Sequence, residues 1–191
     1  IDVNEILLEE GIDIKKGPFI GISVRKWEDM QNYCSVIAQI TDYIIDKYKL
    51  TPIFIPMHQP SDLQVTEKIT SQIKGTCYIL KKYYSPTQLL SIMNVFEMFI
   101  SMRLHGIIFA ASLGIPIVGL VYEPKVEGFM QYINQFASCP VKSMSIERLK
   151  LMVDGVWLHR DEIKKSMGEY IPRLRQRAVE NAKIAVDLIK T

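Results

Sequence analysis

Short apolar runs alternate along the chain with stretches that place apolar residues at helical spacing. Five runs predict buried strands, over residues 19–24, 52–56, 77–80, 95–100 and 115–121. Helices are predicted over residues 32–48, 62–73, 85–94, 107–113 and 125–132, followed by one that starts at Ser145 and one over residues 161–189. Strands that alternate with helices are typical of a parallel sheet with right-handed crossovers. The pattern therefore predicts an α/β fold, a Rossmann-like doubly wound parallel sheet.

The same pattern divides the chain into three parts. Residues 1–17 are predicted to be a leading linker segment outside the core, and residues 18–159 the Rossmann-like domain. Residues 160–191 are predicted to be a helical segment that packs back on the domain or toward an N-terminal half that is missing here, and Pro172 is expected to kink or split this helix. Since the chain starts with Ile1 instead of Met, we expect a fragment or a processed product.

Composition narrows the functional classes. With 191 residues, 48% of them hydrophobic, the chain can fill one substantial core. A net charge of +2 gives no reason to expect nucleic acid as a partner. The three cysteines, at positions 34, 77 and 139, form no metal-binding pattern and no disulfide framework, which suits a cytoplasmic protein. We find no dinucleotide fingerprint, no P-loop and no run that could span a bilayer, so we expect no cofactor and no metal.

The turn between the fourth strand and its helix, Ser101-Met102-Arg103-Leu104-His105-Gly106, carries the strongest chemical signal. A helix start has free backbone N–H groups and a positive potential. Arg103 and His105 add further donors there, although cations disfavour a helix start unless an anion is bound. The turn, with the hydroxyl of Ser101, therefore predicts an anion site. The alternative is that Arg103 caps a neighbouring element and that His105 is a hydrogen-bonded core histidine.

Polar side chains also follow the other predicted strands. They are Ser23 and Arg25 after the first strand, His58 and Gln59 after the second, and Tyr122, Glu123 and Lys125 after the fifth. Because ligands of open parallel sheets bind outside the carboxyl ends of the strands, these residues predict a crevice for an anionic ligand. Each of them has a simpler alternative as a turn cap, a loop residue or a surface ion pair.

Four segments resemble the polysaccharide pyruvyl transferase family, and most closely its CsaB-type members that act on cell-wall polymers. They are Arg103-Leu104-His105, Ile107-Ile108-Phe109-Ala110-Ala111, Gly114-Ile115-Pro116 and Tyr122-Glu123-Pro124-Lys125. The resemblance extends over residues 19–132. It implies the C-terminal half of a two-domain fold similar to GT-B glycosyltransferases, with the active site between the two domains.

The resemblance also implies an activity. The family transfers the enolpyruvyl unit of phosphoenolpyruvate to a sugar, closing a ketal across two hydroxyls and releasing phosphate. The acceptor implied is a lipid-diphosphate-linked saccharide, which allows a peripheral location at the inner face of the membrane. His105 matches a residue expected to act as general acid or base, with Lys125 as a second catalytic residue. Arg103 and Lys125 match positions suited to the carboxylate and phosphate of the donor.

Three further substrate-binding residues are implied with less definite roles. Ser23 and Arg25 lie in a Gly-x-Ser-x-Arg stretch that resembles the family, and Glu123 stands where many relatives have aspartate. Two other functions remain open from the sequence. One is a GT-B-type glycosyltransferase domain that binds a nucleotide sugar, and the other is a non-catalytic Rossmann-like assembly domain. We expect the 191-residue chain to be inactive alone, since half of the presumed cleft would be missing.

Overall fold

The computed structural model describes residues 2–28 and 30–190, and these residues form strands and helices in alternation. The six strands described are Phe19–Ser23 (β1), Thr51–Phe54 (β2), Tyr78–Ile79 (β3), Phe96–Ser101 (β4), Ile117–Val121 (β5) and Ser138–Pro140 (β6). The helices are Val3–Glu9 (α1), Met30–Tyr48 (α2), Ser61–Thr70 (α3), Pro86–Met93 (α4), Leu104–Ser112 (α5), Pro124–Tyr132 (α6), Ile146–Leu158 (α7) and Arg160–Lys190 (α8). Short turns of 3-10 helix cover Ile14–Lys16 and Val141–Ser143.

All neighbouring strands are parallel, in the order β3-β2-β1-β4-β5-β6. The chain builds one half of the sheet outward from β1 and then crosses over to add β4 on the other side of β1. The boundary between β1 and β4 is therefore the topological switch point. This order confirms the predicted Rossmann-like doubly wound fold.

The register aligns the carboxyl ends of the three central strands. Ser23 at the end of β1 pairs with Ser101 at the end of β4, and Ser101 pairs with Gly119 of β5. The segments that follow these three strands consequently leave the sheet at about the same height along the strand direction.

Two apolar layers cover the sheet. Buried residues of α2, α3 and α7 pack in one cluster, and those of α1, α4, α5, α6 and α8 pack in the other. All five residues of β1 are buried, as expected for a central parallel strand covered on both faces. At Gly21, a Cβ atom would lie 2.5 Å from ring atoms of both Phe96 and Phe99, so β1 and β4 require glycine there.

The leading segment differs from its sequence interpretation, because it contributes to the core. Leu7 and Ile12 are fully buried in the second cluster. The carboxylate of Glu10 accepts hydrogen bonds from the backbone N–H groups of Lys81 (3.0 Å) and Lys82 (2.9 Å), which ties this segment to the loop before α4. A helix of seven residues is too short for its periodicity to indicate a buried face.

The C-terminal part differs from expectation in two places. Strand β6 is not predicted, because Ser-Cys-Pro at residues 138–140 has no apolar run. Helix α8 continues through Pro172, so the predicted split does not occur. In the first half of α8, Met167 is buried and Lys164 Nζ lies 2.7 Å from Glu97 Oε2. None of the described helices combines the length and the apolar character needed to cross a bilayer.

Candidate functional site

Cations follow three adjacent strand ends at the switch point. Arg25 follows β1, Arg103 follows β4 and Lys125 follows β5, and these strands are neighbours in the sheet. Neighbouring strands are about 4.8 Å apart, so the ends of β1 and β5 are separated by about 10 Å. The structure therefore places all three residues on one edge of the sheet, as the sequence predicts.

The turn into α5 leaves backbone donors free. The hydroxyl of Ser101 accepts a hydrogen bond from the N–H of Arg103 at 3.0 Å and donates one to the carbonyl oxygen of Arg103 at 2.9 Å. The bond that Ile107 donates to the Arg103 carbonyl, at 3.1 Å, begins the helical pattern. The N–H groups of residues 104–106 thus have no intrahelical acceptor, which is the local condition for anion binding.

Arg103 is held by a buried carboxylate. Its Nε donates to Asp62 Oδ2 at 2.8 Å, and its Nη2 donates to Asp62 Oδ1. Asp62 lies in the first turn of α3, is fully buried, and also accepts a hydrogen bond from the N–H of His58 at 3.0 Å. The side chain of Arg103 is 21% exposed. The guanidinium therefore uses one edge for Asp62 and keeps the N–H donors of its outer edge.

Tyr33 connects the loops on the two sides of the switch point. Its ring is buried, its hydroxyl lies 3.6 Å from Met102 Sδ, and it accepts a hydrogen bond from the backbone N–H of Arg25. Burial raises the pKa of Tyr33 well above its ordinary value of 10.0, and the charge of nearby Asp62 raises it further. Tyr33 therefore stays neutral and serves as a fixed support between the two loops.

A second cluster of charges forms around Glu123. Its carboxylate lies 2.7 Å from Lys125 Nζ and 3.9 Å from Arg25 Nη1. The guanidinium of Arg25 stacks over the ring of Tyr122, 4.5 Å from its centroid, and Trp27 meets that ring edge to face at 6.3 Å. Arg25 thus reaches from the end of β1 across the end of β4 to a residue that follows β5.

Hydrogen bonding to Glu123 raises the pKa of Lys125. Lys125 is accordingly a cation at neutral pH and a weak base. This favours a role in attracting or orienting negative charge over a role in removing protons.

Ser23 and Ser101 do not present their hydroxyls at the surface. Both side chains are fully buried. Ser23 donates to the carbonyl oxygen of Ile55 at 2.9 Å, whereas Ser101 bonds with the backbone of Arg103. Both are predicted from the sequence to bind substrate, but their contacts shape the loops that carry Arg25 and Arg103.

His105 is exposed in the first turn of α5, so the alternative of a buried core histidine is wrong. Within residues 2–28 and 30–190, no hydrogen bond or ion pair engages its ring. The alternative for Arg103 is partly right, since Arg103 does bind a residue in the first turn of a neighbouring helix.

The loop after β2 has a structural role. His58 is exposed, with Nδ1 3.0 Å from the hydroxyl of Ser61, and Gln59 donates to the carbonyl oxygen of Lys81 at 3.0 Å. These contacts stabilise the turn that leads into α3. His58 contributes to the site through its backbone N–H group, which binds Asp62.

The predicted residues form two groups on one edge. Arg103 pairs with Asp62, whereas Arg25, Glu123 and Lys125 associate with one another, and no hydrogen bond or ion pair between described residues joins the two groups. Asp62 is not among the predicted site residues, because from the sequence it is only the first residue of the helix predicted over residues 62–73. The sequence signal that could have indicated Asp62 is an acidic residue four positions after His58, in the segment that follows the second predicted strand.

The site is an open edge. A depression of about 830 Å³ lies between α2 and α3, lined by residues such as Gln31, Cys34 and Lys68. It includes none of the predicted site residues. Among the described residues, no group of three or more His, Cys, Asp or Glu side chains is arranged to hold a metal ion.

The family model for polysaccharide pyruvyl transferase matches residues 6–124, well over half of the chain. The match includes β1 to β5, Arg25, Asp62, Arg103 and His105, and it ends just before Lys125. No curated protein matches the chain at a significant level.

Solved structures share the fold at low sequence identity. The C-terminal CMP-Kdo binding domain of WaaA from Acinetobacter baumannii is 11% identical, with a TM-score of 0.59 over 88% of this chain and 95% of that domain. MnaA from S. aureus, solved with UDP, is 15% identical, with a TM-score of 0.60 over 89% of this chain and 45% of MnaA. The UDP-GlcNAc 2-epimerase from Neisseria meningitidis, bound to UDP-GlcNAc, is 12% identical, with a TM-score of 0.59 over 85% of this chain and 42% of the epimerase. The chain thus spans less than half the length of each of the last two proteins.

Proposed function

The chain belongs to the polysaccharide pyruvyl transferase family, and on that premise we propose that it forms the donor-binding part of a phosphoenolpyruvate-dependent transferase. The product is a pyruvyl ketal on a sugar of a lipid-linked cell-wall polymer precursor. A second domain of the same protein completes the cleft, and the enzyme works in the cytoplasm at the inner face of the membrane.

The observation that carries this proposal is the partly free guanidinium of Arg103 beside the start of α5. Phosphoenolpyruvate carries a carboxylate and a phosphate, so its site needs donors in two directions. The outer edge of Arg103 suits a planar carboxylate, because two parallel N–H groups can bind both oxygens. The N–H groups of residues 104–106 and the cations Arg25 and Lys125 supply positive potential for the phosphate.

His105 is proposed as the general acid or base. His105 is the second residue of α5, lies two residues past Arg103 and is exposed, which supports a role next to an anion bound at this helix start. Both ring nitrogens are available to a substrate, because no described residue engages them. Proton transfer by a positioned side chain contributes about 10² to 10⁴ in rate.

The proposed reaction balances without a cofactor. One sugar hydroxyl forms a C–O bond to C2 of the enolpyruvyl group, and C3 gains a proton to become a methyl group. A second hydroxyl then forms its C–O bond to C2 as the phosphate leaves, and the proton it loses accompanies the released phosphate. Lys125 attracts and orients the phosphate of the donor, and preorganised donors at α5 stabilise the developing negative charge.

A glycosyltransferase that uses a nucleotide sugar is the second candidate. The fold likeness to a CMP-Kdo binding domain and to MnaA solved with UDP favours it. These likenesses are at 11% and 15% identity, so they support the candidate through fold alone. Competition by UDP or CMP against phosphoenolpyruvate distinguishes the two candidates.

The test uses the complete protein that contains this chain, with phosphoenolpyruvate and a lipid-linked saccharide. We expect phosphate release that depends on the acceptor, together with a pyruvyl ketal detected by mass spectrometry. The His105→Gln variant should lose about 10² to 10⁴ in kcat. The matched control is His159→Gln, an exposed histidine at the end of α7 that pairs with Glu162 at 3.1 Å, which should keep full activity. Phosphate release or ketal formation at wild-type rates in the His105 variant would contradict the assigned role.

A further inference from the structure

Asp62 has contacts that a helix cap does not need. Its carboxylate is fully buried and accepts three hydrogen bonds, from the N–H of His58 and from Nε and Nη2 of Arg103. A helix cap needs bonds to N–H groups of its own first turn. Asp62 instead directs two of its contacts to a side chain 41 residues away.

We infer that Asp62 is a positioning residue, which fixes the guanidinium of Arg103 so that its outer edge is presented to the anionic donor. This inference rests on the proposed function. Arginine side chains lose considerable rotamer freedom on binding, and a preorganised guanidinium reduces that cost. Asp62 holds one edge of the fork, which leaves the Nη1 and Nη2 donors of the other edge aligned before the ligand arrives.

The surroundings of Asp62 make its position rigid. It belongs to α3, whose Val65 and Ile69 are buried in the core, and its carboxylate is fixed by the backbone of His58. Tyr33 is buried, stays neutral and contacts Met102, which lies directly before Arg103 in the turn. The guanidinium is therefore held from a packed helix, and its orientation does not depend on a mobile surface residue.

If Asp62 acts through its charge, or if it acts by positioning Arg103, its removal has opposite effects on donor binding, so an experiment can distinguish the two. Asp62 brings a negative charge close to a site for a ligand with several negative charges. If Asp62 acted only through this charge, its removal would strengthen donor binding. If it positions Arg103, its removal weakens donor binding although the site becomes more positive.

The experiment measures phosphoenolpyruvate binding to the complete protein by calorimetry, with KM and kcat from phosphate release. The Asp62→Asn variant keeps the size of the side chain and removes the charge. We expect phosphoenolpyruvate to bind at least about tenfold more weakly to this variant, with a matching rise in KM. The control is Asp42→Asn, because Asp42 also accepts two backbone N–H bonds, from Lys74 and Gly75, and lies on α2 away from the strand ends. Unchanged or tighter binding in the Asp62 variant overturns the inference.

A second comparison keeps the inference testable if the Asp62→Asn variant does not fold. An effect that acts through Arg103 disappears when Arg103 is absent. The Arg103→Met variant and the Asp62→Leu/Arg103→Met double variant should therefore bind phosphoenolpyruvate equally, within about twofold. A difference of more than about fivefold overturns the inference. Wild-type protein that neither binds phosphoenolpyruvate nor releases phosphate contradicts the proposed function instead, so the two failures are distinguishable.

Discussion

Asp62 and Asp154 each accept hydrogen bonds from several donors, and they leave their partners in different states. We call Asp62 with Arg103 the rim pair, and Asp154 with Tyr43, Lys47 and Tyr48 the interface cluster. In the interface cluster, Asp154 accepts from the hydroxyls of Tyr43 (2.8 Å) and Tyr48 (2.5 Å) and from Lys47 Nζ (2.8 Å).

In the interface cluster, the charged groups of Lys47 and Asp154 are engaged by other members of the cluster. The ammonium of Lys47 lies 5.1 Å from the ring centroid of Tyr43 and 5.3 Å from that of Tyr48, so cation–π contacts add to its ion pair. The cluster joins α2 to α7, and none of its residues follows the carboxyl end of a strand as Arg25, Arg103 and Lys125 do. The rim pair differs, because the guanidinium of Arg103 keeps donors on its outer edge and lies where three strands end.

The difference shows that an ion pair indicates a binding site only when one partner retains unused donors at a place where a ligand fits. Both carboxylates are well satisfied. The rim pair combines a fixed charge with spare N–H donors at the strand ends, and substitutions in the two groups should therefore have separable effects on activity and on stability.

The largest effect is expected for Arg103→Met in the complete protein. This substitution removes the proposed contact between Arg103 and phosphoenolpyruvate and leaves the buried Asp62 unpaired. We expect kcat/KM for phosphoenolpyruvate to fall about 10³-fold, because truncating one partner of a buried charge pair costs roughly 2–5 kcal/mol. Stability should fall by about 3–5 kcal/mol in urea unfolding, since an uncompensated buried charge remains.

A double variant separates these two losses. Asp62→Leu/Arg103→Met replaces the pair with apolar side chains, so much of the lost stability should return while the activity stays low. The matched control is Arg175→Met on α8, whose guanidinium donates to the carbonyl oxygen of Ser112 at 2.8 Å. Recovery of activity in the double variant would show that Arg103 is a structural residue, like the members of the interface cluster.

The rim pair also shows which features of the site could not be predicted from the sequence. Apolar runs bounded by proline and glycine predict the strands, and parallel topology then places Arg25, Arg103 and Lys125 on one edge. Chain position does not give the direction of a side chain, so Ser23 and Ser101 are assigned to the substrate although both bind backbone. Nor can spacing indicate that Arg103 pairs with a carboxylate 41 residues earlier.

A smaller effect is expected for Asp154→Asn, and it should be on stability alone. Burial by itself would raise the pKa of Asp154, but hydrogen bonds from Lys47, Tyr48 and Tyr43 hold it below the ordinary value of 3.8. Loss of these charge-assisted bonds at a partly exposed group should cost about 1–2 kcal/mol. Activity with phosphoenolpyruvate should not change.

The pH dependence gives an independent check on Asp154. Its pKa is lower in the folded than in the unfolded protein, so its contribution is complete above the unfolded pKa of about 3.9 and is lost as the pH falls through the folded pKa. The difference in unfolding free energy between wild type and variant should therefore be constant near neutral pH and shrink in acid. A difference that grows in acid would contradict the assignment of the carboxylate as the charged acceptor.

The smallest effect is expected for Lys125→Met, which changes the open side of the site. Lys125 is exposed and bound to Glu123 at 2.7 Å, so its loss should leave stability unchanged. Its charge adds to that of Arg25 at the proposed phosphate position, and we expect KM for phosphoenolpyruvate to rise about three- to fivefold at low ionic strength. Because screening weakens interactions between exposed charges, this rise should diminish in 0.5 M salt, whereas the defect of Arg103→Met should persist. Lys47→Met is the matched control, since Lys47 is also bound to a carboxylate at 2.8 Å but belongs to the interface cluster and should leave KM unchanged. A loss of kcat in Lys125→Met that does not respond to salt would instead give Lys125 a direct part in the chemical step. The exposed side of the site would then contribute more to catalysis than we expect from comparing the rim pair with the interface cluster.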